Sequence, residues 1–165
     1  MDLDAWIDQD DAWITDTIRR CGWAVHYIGG DTCSRPGCDC PPGDGPPFAY
    51  TTGLHGLGHP ELLIVGVEPT TAAAILNTLG RRILDGEQLI PGMLVTFEDW
   101  PHRIVPETVP NPEEILFEAN RFYRRPPGFP VPAFQLSYDD EQGRFPWDEG
   151  YAAPDLQPRP GTFTA

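Results

Sequence analysis

Residues 61–67, Glu-Leu-Leu-Ile-Val-Gly-Val, form a nearly continuous apolar run. A strand with one wet face alternates apolar and polar side chains, so a run apolar at almost every step needs cover on both faces. A helix follows it, opening through Pro69-Thr70-Thr71 and placing Ile75, Leu76, Leu79 and Ile83 on one stripe, with Gly86 at its end. That strand and helix fix the middle of the fold.

The flanking sequence supplies the remaining elements. Over residues 4–21, Trp6, Ile7, Trp13, Ile14 and Ile18 recur at helical spacing; acids gather at the start, Arg19 and Arg20 at the end, and Gly22 suits a C-terminal cap. Residues 23–28 and 48–52 read as two strands of a hairpin, joined by a Gly/Pro/Cys loop over residues 29–47. Residues 93–97 and 103–105 predict two more strands around a Trp100-Pro101 bend. Asn111-Pro112-Glu113-Glu114 predicts a helix to about Tyr123, with Ile115, Leu116, Ala119 and Tyr123 inward, and residues 133–138 a last strand. The order α-β-β-β-α-β-β-α-β gives an α+β fold: a mostly antiparallel sheet or small barrel with about three helices. Residues 1–152 form the expected single domain, and residues 153–165 an expected mobile tail.

Charge narrows the chemistry. There are 25 acidic residues against 11 basic ones, for a net charge of -14, and every base is arginine. Without lysine there is no Schiff-base nucleophile and no phosphate-loop lysine. The acidic balance argues against nucleic acid and against anionic membranes as partners. Any anionic ligand would fall to backbone amides or to arginines such as Arg81, Arg82, Arg121, Arg124 and Arg125. No apolar run approaches a membrane span, and Met1-Asp2-Leu3-Asp4 is unlike a signal peptide, so a cytoplasmic protein is expected.

Three thiols, Cys33, Cys38 and Cys40, fall within eight residues of the loop. A structural zinc is one reading, with His26 or Cys21 as fourth ligand; free thiols, an oxidised pair or a redox role are others. Tyr50, Thr51, Thr52 and Gly53 form a polar strand end beside a glycine turn that carries His55, His59 and Glu61. Imidazoles and a carboxylate there could bind a small polar ligand or transfer protons, or could simply shape the turn. His26 and His102 are weak catalytic candidates taken singly. Ser34 and Ser137 lack a nucleophile elbow, and no glycine fingerprint for a dinucleotide is present.

Gly22-Trp-Ala-Val, Pro47-Phe-Ala-Tyr-Thr-Thr-Gly-Leu54 and Gly58-His-Pro-Glu-Leu62 resemble the DUF4262 family of bacterial and phage proteins. The likeness continues at Phe134-Gln-Leu136 and Asp140-Glu-Gln-Gly-Arg-Phe-Pro-Trp-Asp148, covering roughly residues 17–151. The resemblance implies no catalytic residues, and the cysteine-bearing loop departs from the usual pattern. The expected function is a small-molecule-binding or accessory module. Alternatives are an enzyme using a bound flavin or metal, and a phage or host module that meets a protein partner through its acidic surface.

Overall fold

A computed structural model describes residues 2–29 and 45–165. Helix α1 (Leu3–Cys21) leads into β1 (Ala24–Ile28) and β2 (Phe48–Thr52). A 3-10 turn (Leu54–Leu57) precedes β3 (Glu61–Val65), followed by α2 (Pro69–Leu84) and β4 (Ile104–Thr108). A second 3-10 turn (Pro112–Glu114), α3 (Phe117–Phe122) and β5 (Ala133–Tyr138) complete the order.

The five strands make one sheet in the order β1-β2-β3-β5-β4. β1/β2, β2/β3 and β4/β5 are antiparallel, whereas β3 and β5 run parallel, with Leu62 opposite Phe134. The expected α+β class and mostly antiparallel sheet are thus present, in the open form rather than as a barrel, since β1 and β4 stand at opposite edges. Parallel neighbours require a crossover. Here it contains α2, β4 and α3.

The apolar run of β3 is buried at every position. Leu62 and Ile64 meet Ala72, Ile75, Leu76 and Leu79 of α2 on one face. Leu63 and Val65 meet Ile115, Leu116 and Ala119 on the other. Each such fully buried aliphatic side chain stabilises the fold by about 1.5–3 kcal/mol. Trp23 joins the first cluster by lying across Gly80 of α2, where its indole N–H donates to Asn77 Oδ1 at 2.9 Å.

Helix α1 is held more lightly. Of its expected stripe only Ile14 is buried, and Trp6 and Trp13 are each 46% exposed. Gly22 caps the helix with φ 97°, and its N–H donates to Ile18 O at 2.8 Å.

Three expectations change. The strand over residues 93–97 shrinks to one bridge, Val95 with Ile104, because Pro91-Gly92 and the turn that follows leave Met93 and Leu94 exposed rather than paired. The helix from Asn111 is interrupted at Ile115 and Leu116, whose φ of -133° and -91° (with ψ 63° at Leu116) leave the helical range, and Asn111 makes no side-chain cap bond. Its side-chain amide instead donates to Glu114 Oε2 and Phe163 O, at 2.8 and 2.9 Å. Residues 153–165, expected as a tail free of the body, are packed on it: Gln157 and Phe163 are buried, and Phe163 joins the second core cluster edge-on to Phe48. Gln157 accepts the Tyr138 N–H at 2.8 Å and donates to the Tyr138 carbonyl at 2.9 Å, so one side chain completes the end of β5 as a neighbouring strand would. Arg159 adds a two-pronged pair to Glu107, at 2.8 and 3.0 Å.

Candidate functional site

Glu61 opens β3 with no exposed surface. Its carboxyl group accepts the Gly53 and His55 amides at 3.1 Å each. Burial nevertheless outweighs these donors and pushes its pKa up to about 8. Thr51 Oγ1 in turn accepts the Leu62 N–H at 2.9 Å. Beside this knot, His55 meets the Tyr123 ring edge-on at 4.8 Å. The Tyr123 phenol is pushed up to about 12, first by burial and then by the Glu61 charge, while burial and Arg125 lower His55.

His59 is spoken for at both ring nitrogens. Its Nδ1 donates to Pro60 O at 2.8 Å, and its Nε2 accepts the Leu89 N–H at 3.1 Å. The histidine therefore ties residue 89 to the start of β3. His26 shares a 2.8 Å hydrogen bond between Nε2 and Thr52 Oγ1, and lies against Trp13 and Tyr50. Burial lowers its pKa to about 4, with Asp10 opposing and Arg121 assisting. The Tyr50 hydroxyl accepts the Glu118 N–H. The sheet thus brings Thr51, Gly53, His55 and Glu61 together around one turn, places Tyr50, Thr52 and His26 under α1 and α3, and turns His59 toward Leu89.

Cys33, Cys38 and Cys40 lie outside the described residues. Cys21 is an exposed free thiol at the end of α1. Among the described residues no group of three or more His, Cys, Asp or Glu is placed to hold a metal ion. Nor is any helix among them long and apolar enough to cross a membrane.

The carboxylates and aromatics of residues 138–151, which in sequence could bind a cation or serve as an acid–base pair, join a second constellation that sequence reasoning did not assemble. The carboxyl ends of the parallel pair β3 and β5 leave the sheet on the same edge, and open sheets bind ligands at such ends. Gly66-Val67-Glu68 leaves β3 there and Asp139-Asp140 leaves β5. With Trp100 and His102 they line an open cavity of about 450 Å³. Gly66 has φ 82°, and a Cβ on it would stand 2.4 Å from the Leu156 carbonyl, so the packed tail forms the cavity floor.

His102 is the polar centre of this cavity. Its Nδ1 lies 2.7 Å from the Asp139 carbonyl and 3.3 Å from Asp139 Oδ1. A carbonyl only accepts, so Nδ1 bears a proton; in the neutral imidazole Nε2 is then an acceptor. Buried Asp139 is itself fixed: Oδ1 accepts the Arg103 N–H at 2.9 Å and Oδ2 accepts Arg103 Nε at 2.7 Å. Trp100 and Tyr138 flank the imidazole with ring centres 4.8 and 6.1 Å away. Burial, then Tyr151, raises the Tyr138 phenol, which donates to Val65 O at 3.0 Å.

The signal for this pair lies in strand register. Ile104 pairs with Tyr138, which sets residues 102 and 103 beside Asp139 although 36 positions separate Arg103 from it. A lone histidine and an acidic stretch show nothing of this until β4 and β5 are paired.

Neither the curated proteins nor the solved structures contain a match to this chain. The family described as "Domain of unknown function (DUF4262)" matches residues 17–152. That span is most of the chain, and the protein therefore belongs to the DUF4262 family.

Proposed function

We propose that the protein is a small-molecule-binding module whose ligand sits at the carboxyl ends of β3 and β5, against His102. One observation carries this reading: a histidine whose Nδ1 is tied to a buried, arginine-braced aspartate, and whose Nε2 has no protein partner among the described residues, lines a cavity of about 450 Å³. The His102 side chain is about a quarter exposed, so a ligand can reach it, whereas buried His59 has protein partners at both nitrogens. An ordered acceptor left open beside aromatic walls is the arrangement a ligand site needs.

The Tyr50–Glu61 turn takes a supporting part in this reading. Its backbone amides, Thr51 and Glu61 are matched to one another and set the start of β3, and in this reading the His55 ring lies apart from the ligand. Backbone amide NMR of the full chain during a titration with imidazole-sized polar and aromatic fragments provides the test. Shifts are expected to gather at Gly66–Glu68 and Tyr138–Ala153, and to weaken at least about tenfold in His102→Asn, the effect of roughly one charge-free hydrogen bond. Shifts gathered at Gly53–Glu61, or unchanged by that substitution, would overturn it.

A further inference from the structure

The cavity lining and the distribution of arginines point to an organic cation, an ammonium group on an aromatic or aliphatic body, as the ligand class; we infer this on the strength of the cavity reading above. Among the described residues four acidic side chains line the cavity, those of Glu68, Asp139, Asp140 and Glu141, and no arginine does. Two of them are matched by arginines held behind the wall: Asp139 by Arg103 at 2.7 Å and Asp140 by Arg144 at 3.2 Å. Glu68 and Glu141 have no ion-pair partner among the described residues. Glu68 spends its oxygens on the Thr70 and Thr71 amides at the start of α2, which keeps the carboxylate ionised and closes that helix end to an anion.

The aromatic walls agree. In this lysine-free chain, arginines lie over Trp23, Phe97, Phe145, Trp6 and Trp147. Of the rings lining the cavity, Tyr138 is buried against Trp100 and His102, while the partly exposed Trp100 and Tyr151 carry no guanidinium among the described residues and are the rings a ligand's cation could meet. In the neutral imidazole His102 Nε2 is an acceptor, suited to an ammonium N–H. An anion would face the two unmatched carboxylates with no cation to hold it.

The test compares three probes of one shape on the full chain at low salt, by amide NMR: benzylamine, benzyl alcohol and benzoate. Benzylamine is expected to shift the Gly66–Glu68 and Tyr138–Ala153 amides at a concentration about tenfold lower than benzyl alcohol, and benzoate to shift none of them. Glu141→Gln, at an exposed residue outside any hydrogen bond described, should weaken benzylamine about threefold and leave benzyl alcohol unchanged. Benzyl alcohol or benzoate binding as tightly as benzylamine at these amides would overturn the cation while leaving the cavity reading in place. Absence of shifts with all three would overturn both.

Discussion

Glu61 and His26 are buried side chains whose proton affinities move in opposite directions, and their effects on stability can be separated by pH. Folded Glu61 holds its proton up to about pH 8, against an ordinary value of 4.5. Between those values the folded protein binds a proton that the unfolded chain has released, so stability falls as pH rises. His26 drops from 6.5 to about 4, so the unfolded chain binds the extra proton between those values. Its contribution is complete above pH 6.5 and is lost as pH falls toward 4. The two slopes oppose one another up to about pH 6.5, and above it Glu61 acts alone. Urea denaturation is therefore expected to show a loss of roughly 2 kcal/mol from pH 6.5 to 8, each tenfold change in proton affinity being worth about 1.4 kcal/mol. Glu61→Gln, which cannot ionise, should flatten that interval; a wild-type profile already flat there would refute the assignment.

Gly80 sets two residue-scale effects against each other. Alanine in a helix interior gains up to about 1 kcal/mol over glycine. A Cβ at position 80, however, would stand 2.5 Å from Trp23 Cε2, and Trp23 is wedged in the core with its indole N–H bonded. Overpacking costs about 1–3 kcal/mol, so Gly80→Ala should lose about 1 kcal/mol net in chemical denaturation. A more stable variant would mean that the indole can shift freely.

At the scale of elements, legibility followed periodicity. β3 and α2 stood out because a run of apolar residues and a 3.6-residue stripe each report burial directly. The third helix was misjudged because Asn111 has the chemistry of a cap, while tertiary structure assigns its amide to Glu114 and Phe163. The α1 stripe was legible as a helix but not as a buried face, since its tryptophans are half exposed and its acids Asp10 and Asp11 pair with Arg121. That pairing also removes Arg121 from the arginines free to hold an anion. The C-terminal residues defeated composition altogether: a polar, proline-rich stretch carries few buried side chains, yet Phe163 is one of them. Phe163→Ala should cost about 3 kcal/mol, whereas Thr164→Ala, one exposed residue away, should cost almost nothing. A loss below about 1 kcal/mol for the first, in thermal or urea denaturation, would show that the segment does not hold its place in solution.

For the whole molecule, the organising fact is one parallel pair within an antiparallel sheet. Alternation and turn signals report hairpins, whose strands are neighbours in sequence; they report nothing about β3 meeting β5 across the crossover. The Tyr50–Glu61 turn was legible because its residues are contiguous. The His102 cavity was not, because it draws on the exits of β3 and β5 and on the bend before β4, which only topology unites. Net charge behaved likewise: the surplus of acid is a bulk quantity, whereas the location of the described arginines relative to the cavity is what gives it meaning.

The family match ends at residue 152, but the cavity does not. Ala153 and Leu156 form part of its surface, and the Leu156 carbonyl is what Gly66 makes room for. Frame and floor are thus separable pieces of sequence. A change at Ala153 or Leu156 would re-cut the shape of the cavity while leaving the histidine and its aspartate in place, whereas one at Gln157 or Phe163 would reach the end of β5 or the core.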